Sequence, residues 1–198
     1  MAEKLIPTPS QTVGPFFHLG LDHPAWGDLT RNNPPEALGV ERIAIEGRVL
    51  DGDGLPVPDA MIELWQANAA GRYNHPEDRQ DEKPLDSNFR GFGRVATDGE
   101  GRFRVVTIKP GPVPGRGNAL QAPHINVAVF ARGMLIHLFT RIYFADDPLN
   151  PGDPLLSSIE DAAVRRTLLA RRAEAGSPPI WHFDIVLQGD NETAFLDI

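Results

Sequence analysis

Apolar and polar residues alternate along much of the chain. From Ile43 to Leu50 the apolar residues Ile43, Ile45 and Val49 fall on one side and Glu46 and Arg48 on the other, the period of two of a half-buried strand. Asp51-Gly52-Asp53-Gly54 follows, residue types that tolerate positive φ, so a chain reversal is predicted before the next strand at Ala60 to Gln66. Further strands are predicted at Gly101 to Ile108, His124 to Ala131, Met134 to Phe144 and Trp181 to Gln188, with Arg132-Gly133 as a tight turn between two of them. Many short strands separated by turn signals predict an all-β fold, a β-sandwich. One stretch reads differently. Ser158 with Asp161 resembles a capping box, Ala162 to Ala173 is rich in helix formers, and Gly176, Pro178 and Pro179 close it, so a helix is predicted near residues 158–175. The first 40 residues hold Phe16, Phe17, Leu19 and Trp26 but show neither period. They are predicted to form an N-terminal arm for assembly, with residues 41–198 as a single domain.

Composition narrows the function. The 198 residues suffice for one well-buried domain, and Gly and Pro, at 19 each, suit strands joined by turns rather than a helical bundle. The absence of cysteine removes disulfides, thiolate metal sites and cysteine nucleophiles. A formal net charge of −8 opposes a nucleic-acid binder, which needs a clustered basic face. It also means that an anionic small molecule would need a local Arg or Lys. No apolar run reaches the roughly 20 residues of a membrane span, and the proline-rich start MAEKLIPTPS lacks the apolar core of a secretory signal. The expected location is the cytoplasm.

The chemistry-bearing segments are MIELWQANAAGRY at 61–73, LDSNFRGFGR at 85–94, TIKPGP at 107–112 and PHINVAVFARGMLIHLFTRIYFADDP at 123–148. From about residue 40 onward these resemble, in order, the intradiol dioxygenases, non-haem Fe(III) enzymes that cleave catechols between the two hydroxyls. The resemblance implies a β-sandwich of transthyretin-like or immunoglobulin-like type. PTPSQTVGPFFHLGL at 7–21 also resembles the N-terminal arm of family members built from alpha and beta chains. Catalytic members hold iron with two Tyr and two His, one Tyr in the GRY segment, one just after KPGP, and the His pair in an H-x-H strand. Phenolates are hard anionic donors suited to Fe(III), and side chains two apart on a strand share a face, so an H-x-H pair can meet one metal.

This chain departs from that pattern. Tyr73 and His124 stand at two ligand positions, but Val113 replaces the second Tyr, Asn126 the second His, and Gln121 an Arg that catalytic chains carry shortly before the His pair. A valine cannot ligate, and an amide is a poor substitute for imidazole on Fe(III). The expectation is therefore that this chain holds no metal and has no catalytic residue of its own, while Fe(III) sits on a ligand-complete beta-type partner chain in a hetero-oligomer. The resemblance further implies that Thr12, Gly14, Pro15 and Arg132 help line the partner's substrate site, with Arg132 meeting the carboxylate of a small aromatic substrate. Neither nucleic acid nor membrane is an expected partner. Two other functions compete, a free-standing transthyretin-like binding protein and a self-sufficient iron dioxygenase. Motif density disfavours the first, and Val113 with Asn126 the second.

Overall fold

The structure, a computed structural model, describes residues 6–21, 23–32 and 40–197, without the side chains at 18 and 118. The remainder of the expected 1–40 arm lies outside the described residues. The strands are β1 Arg42–Leu50, β2 Met61–Trp65, β3 Phe92–Ala96, β4 Arg102–Ile108, β5 Val113–Pro114, β6 Leu120–Gln121, β7 His124–Phe130, β8 Leu138–Phe144, β9 Leu169–Arg172, β10 Ile180–His182 and β11 Ile185–Val186. One hydrogen-bonded path runs β11-β1-β10-β9-β8-β7-β2-β3, with β4 also paired to β1 and β5 paired separately to β6.

The path folds back on itself to make a sandwich. β1, β4, β10 and β11 form one layer and β2, β3, β7 and β8 the other, with β9 pairing antiparallel to β10 and parallel to β8. Between them Ile45, Val49, Val105 and Ile185 meet Ile62, Leu64, Ile125, Val127 and Phe144, all buried in one cluster. Each such side chain stabilises the fold by roughly 1.5–3 kcal/mol. In β7 the inward row is Ile125, Val127 and Val129, which leaves His124, Asn126 and Ala128 on the outer face. Opposite charges sit directly across the ladders, with Glu46 and Arg104 paired between β1 and β4 and Glu63 and Arg94 between β2 and β3.

The all-β sandwich agrees with the sequence expectation, but local boundaries moved. The helix near 158–175 is two short helices, α2 Pro154–Ser158 and α3 Ala162–Arg166, capped by the carboxylates of Asp153 and Asp161 rather than by Ser158. The helix formers beyond them lead into β9; Leu168 just before it and Ala170 within it are fully buried, and their carbonyls accept from Tyr143 N and Ala145 N. Joining the two layers outweighs intrinsic propensity, a preference worth well under 1 kcal/mol per residue. The strand expected from Met134 starts only at Leu138, and the one expected at Trp181 to Gln188 is split into β10 and β11, with Phe183 N donating to Glu46 O between them.

The N-terminal segment divides. Residues 23–32 lie on β3 and β4, with Leu29 N donating to Val106 O and Leu29 itself in the core. Trp26 lies under the Arg94 guanidinium at 5.4 Å. Residues 6–21, including the short helix α1 Phe17–Leu21, stay on the surface with Ile6, Phe16 and Leu19 strongly exposed.

Candidate functional site

The four positions that the resemblance matches to iron ligands, 73, 113, 124 and 126, converge at the start of β7. Tyr73 is brought there by a tight turn: Gly71 has φ +79°, and a Cβ on it would meet Pro112 O at 2.0 Å. Only glycine allows that approach, and it lays the Tyr73 segment beside Val113. Val113 pairs with Gln121 across β5 and β6. His124 and Asn126 are two apart on the outer face of β7, opposite Tyr143 and Arg141 of β8. Trp65, Tyr73, His75, Gln121, His124 and Arg141 line a cleft of about 520 Å³, with Trp65 and Tyr73 stacked at 5.6 Å.

Arg141 organises this polar cluster. Its Nε donates to Asn126 Oδ1 at 3.0 Å, and its Nη1 donates to Gln121 Oε1 at 2.7 Å and to Tyr143 Oη at 3.2 Å. The Asn126 amide nitrogen donates to Tyr73 Oη at 3.2 Å and to Trp65 O at 3.3 Å. The Tyr143 hydroxyl donates to Asp153 Oδ1 at 3.1 Å. Asp153 is fully buried and also accepts from the backbone N–H of Ala122, Leu155 and Leu156, so its charge is met by four donors, the condition under which a buried carboxylate is tolerated.

Protonation follows from the same surroundings. Burial, reinforced by the Arg141 charge, lowers the His124 pKa from 6.5 to about 4. Its Nδ1 lies 2.8 Å from Ala122 O, and a carbonyl can only accept, so neutral His124 carries its proton on Nδ1 and its lone pair on Nε2. Burial raises the pKa of Tyr73, partly opposed by the Asn126 hydrogen bond and the Arg141 charge. Burial likewise pushes Tyr143 up. Both tyrosines are neutral phenols at ordinary pH.

Iron does not fit these residues. Two positions retain donors suited to Fe(III), Val113 has none, and the Asn126 amide turns its N–H toward the phenol where a lone pair is needed. A guanidinium bonded to Asn126, Gln121 and Tyr143 places a fixed positive charge at the site, which raises the cost of a second cation there. Among the described residues no group of three or more His, Cys, Asp or Glu could hold a metal ion.

Thr12, Gly14, Pro15 and Arg132 lie at the opposite end of β7, roughly 20 Å along the strand. Arg132 and Gly133 form the predicted turn, with Gly133 at φ +89° and Met134 N donating to Ala131 O. Thr12 Oγ1 accepts from Gly133 N at 2.8 Å, and Ser10 Oγ donates to Leu135 O at 2.5 Å, so the arm reaches the Arg132 turn within one chain. Gly14 and Pro15 are exposed beside it. Arg132 Nη2 pairs with Asp59 Oδ2 at 2.6 Å, and its side chain remains 51% exposed. Leu135 and Ile136 in the following loop are exposed as well.

The sequence had not pointed to Arg141, Asp153 or Asp59. The Tyr143 ring lies 5.4 Å from that of His124. Strand alternation could have placed Tyr143 and Arg141 on one face of β8, but their register against β7 was not readable.

Comparison with known proteins finds relatives along the length of the chain. The family model described as "Dioxygenase" matches residues 13–189. The chain is 42% identical to the protocatechuate 3,4-dioxygenase alpha chain of Pseudomonas putida over the whole of both chains. It is 45% identical to the beta chain of that enzyme from Burkholderia cepacia, over 87% of this chain and 74% of the relative. Among solved structures it is similar to the dioxygenase domain of a dioxygenase carbohydrate-binding protein fusion from Streptomyces sp. SirexAA-E. That match has a TM-score of 0.62 at 28% identity and covers 96% of this chain and 100% of the other.

Proposed function

The chain belongs to the intradiol dioxygenase family, a family of non-haem iron enzymes, and from that premise we propose that it is the non-catalytic alpha-type subunit of a protocatechuate 3,4-dioxygenase. Its partner would be a beta-type chain that carries the Fe(III) and cleaves 3,4-dihydroxybenzoate to 3-carboxy-cis,cis-muconate. Overall identity does not choose between the two chain types, being 42% to an alpha chain and 45% to a beta chain. The donor set chooses. Val113, Asn126 and the Arg141 cation bonded to Asn126 carry the assignment.

At the other end of β7 the same proposal gives the chain its contribution to the reaction. The turn Arg132-Gly133, pinned by Thr12, offers a half-exposed guanidinium to the substrate carboxylate, a charge-assisted contact that a −8 protein must concentrate locally. Ile6, Phe16, Leu19, Leu135 and Ile136 are exposed on the arm and the adjoining loop, and clustered exposed apolar side chains usually mark an interface. Asp59 holds Arg132 by one carboxylate oxygen in this chain.

Co-expression with a ligand-complete homologous chain tests the proposal. The two chains are expected to copurify with iron and with the visible phenolate-to-Fe(III) absorption band. The 198-residue chain alone is expected to be colourless and iron-free. Stoichiometric iron with visible absorption in the isolated chain would overturn the assignment.

A further inference from the structure

We infer that the outer face of β4, β1, β10 and β9 docks a second copy of this chain, through a two-fold contact in which this basic face meets the acidic end of the sandwich. The basic face comes from strand register. Arg104, Glu46, His182 and Arg171 stand in line across β4, β1, β10 and β9, a row roughly 14 Å wide at the usual strand spacing. In the next row Arg48 lies directly opposite Arg102. Like charges directly opposite destabilise a ladder, and an outside anion relieves that cost. At the β9 side Arg166 borders a groove of about 270 Å³, which shares His182 and Asp184 with a larger one of about 690 Å³. The carboxylates of this face do not balance it. Glu46 is bonded to Arg104, Asp98 pairs with Arg102 at 3.5 Å, and Asp184 Oδ1 accepts from the backbone N–H of Arg48. Arg48, Arg166 and Arg171 are exposed, and their side chains form no ion pair among the described residues. Five arginines against three carboxylates give the face a surplus of two positive charges with His182 neutral, in a chain of net charge −8.

The complementary charge lies next to it. The turns 51–54, 98–101 and 188–192 meet at the end of β1: Val49 N donates to Gly101 O, Leu187 N donates to Leu50 O, and a Cβ on Gly52 would meet Gln188 at 2.6 Å. They bring together Asp51, Asp53, Glu100, Asp190 and Glu192, and these turns hold no Lys or Arg. Among the described residues none of the five is in an ion pair, and Leu55 beside them is 59% exposed. Two adjacent patches of opposite sign make a self-complementary surface, because one two-fold rotation lays each patch on its counterpart. A nucleic acid or polyphosphate fits less well. It would meet Glu46, Asp98 and Asp184 within the face and the acidic turns at its border.

The contact involves this chain alone, so it can fail or stand separately from the subunit assignment. The test is sedimentation velocity of the full-length chain at about 10 mM and about 1 M NaCl, where Debye lengths are about 30 and 3 Å. A dimer is expected at low salt, with its dissociation constant raised about tenfold or more at high salt, since exposed ion pairs are individually weak and readily screened. A net charge of −8 by itself repels copies most at low salt, so an association that salt weakens identifies complementary patches. Arg48→Glu with Arg171→Glu should leave the chain monomeric at low salt, as should Asp53→Lys with Glu100→Lys and Glu192→Lys. Mixing the two variants should restore the dimer, because each reversed patch then faces one of opposite sign. All five side chains are exposed, and melting temperatures check that both variants fold. Arg48→Gln alone should weaken the dimer several-fold, so the test survives even if the multiple variants fold poorly. A wild-type monomer at low salt, an association that salt and Arg48→Gln leave unchanged, no recovery on mixing the folded variants, or salt-dependent pairing only with a ligand-complete homologous chain would each overturn the proposal.

Discussion

The two ends of β7 carry the same kind of residues and treat them in opposite ways. At its start, Asn126, Gln121, Arg141, Tyr143 and Asp153 are bonded chiefly to one another, and His124 is 4% exposed. Past its end, Arg132 is held by a single ion pair at half exposure, and the arm over its turn leaves Phe16, Leu19, Leu135 and Ile136 uncovered. The first end holds an internal cation and closes most of its hydrogen bonds within the chain, and the second leaves its cation half-exposed beside an uncovered apolar surface. A subunit can lose its reaction centre without losing the fold, because the inward row Ile125, Val127 and Val129 is independent of what the outward row carries.

If the closed end is structural, the largest effect should come from Asp153→Ala. It strands three backbone N–H groups and the Tyr143 hydroxyl in a buried site, at about 3–5 kcal/mol. For a chain of this size that is a fall in melting temperature of roughly 10 °C, seen by calorimetry, with residual activity of the assembled enzyme changing only as the folded fraction does. An activity loss without a stability loss would break the contrast between the ends.

Arg132→Ala should do the reverse. On the proposed assignment the assembled enzyme loses roughly 30- to 150-fold in kcat/KM for protocatechuate, the equivalent of about 2–3 kcal/mol. The loss should fall mainly on KM, be smaller for catechol, which has no carboxylate, and leave melting temperature and iron content as they were. If Arg132 is only a surface partner of Asp59, the loss is a few-fold at most.

A third measurement titrates the closed end. Because the folded-state pKa of His124 is about 4 against an ordinary 6.5, the unfolded chain takes up a proton first as pH falls. The stability it represents is complete above pH 6.5 and is lost progressively down to pH 4, by about 3 kcal/mol. Chemical denaturation across that window should show the loss in the wild-type chain and a flatter profile in His124→Gln. The smallest effect is expected for Thr12→Val, which removes the acceptor of the Gly133 N–H. About 1 kcal/mol, or a roughly fivefold rise in KM through a looser Arg132 turn, is expected with no change in melting temperature.

The amino-acid sequence by itself determined the all-β class, most strand positions and the broken ligand set, because these rest on local facts. Apolar residues two apart select strands, Asp-Gly pairs select turns, and a valine at 113 lacks a donor atom in any fold. Only the tertiary structure decided what surrounds Tyr73, His124 and Asn126. Arg141 and Tyr143 were visible as residues of β8, but a one-residue shift against β7 would have turned them toward the core. Likewise Leu169 to Arg172 carried a helical composition, and became β9 because their backbone was needed to close the path between β8 and β10. The pairings of Arg132 with Asp59 and of Thr12 with Gly133 span 73 and 121 positions of sequence, separations that local pattern cannot encode. Register, layer closure and long-range ion pairs are properties of how elements meet, and the chemistry of both ends of β7 depends on them.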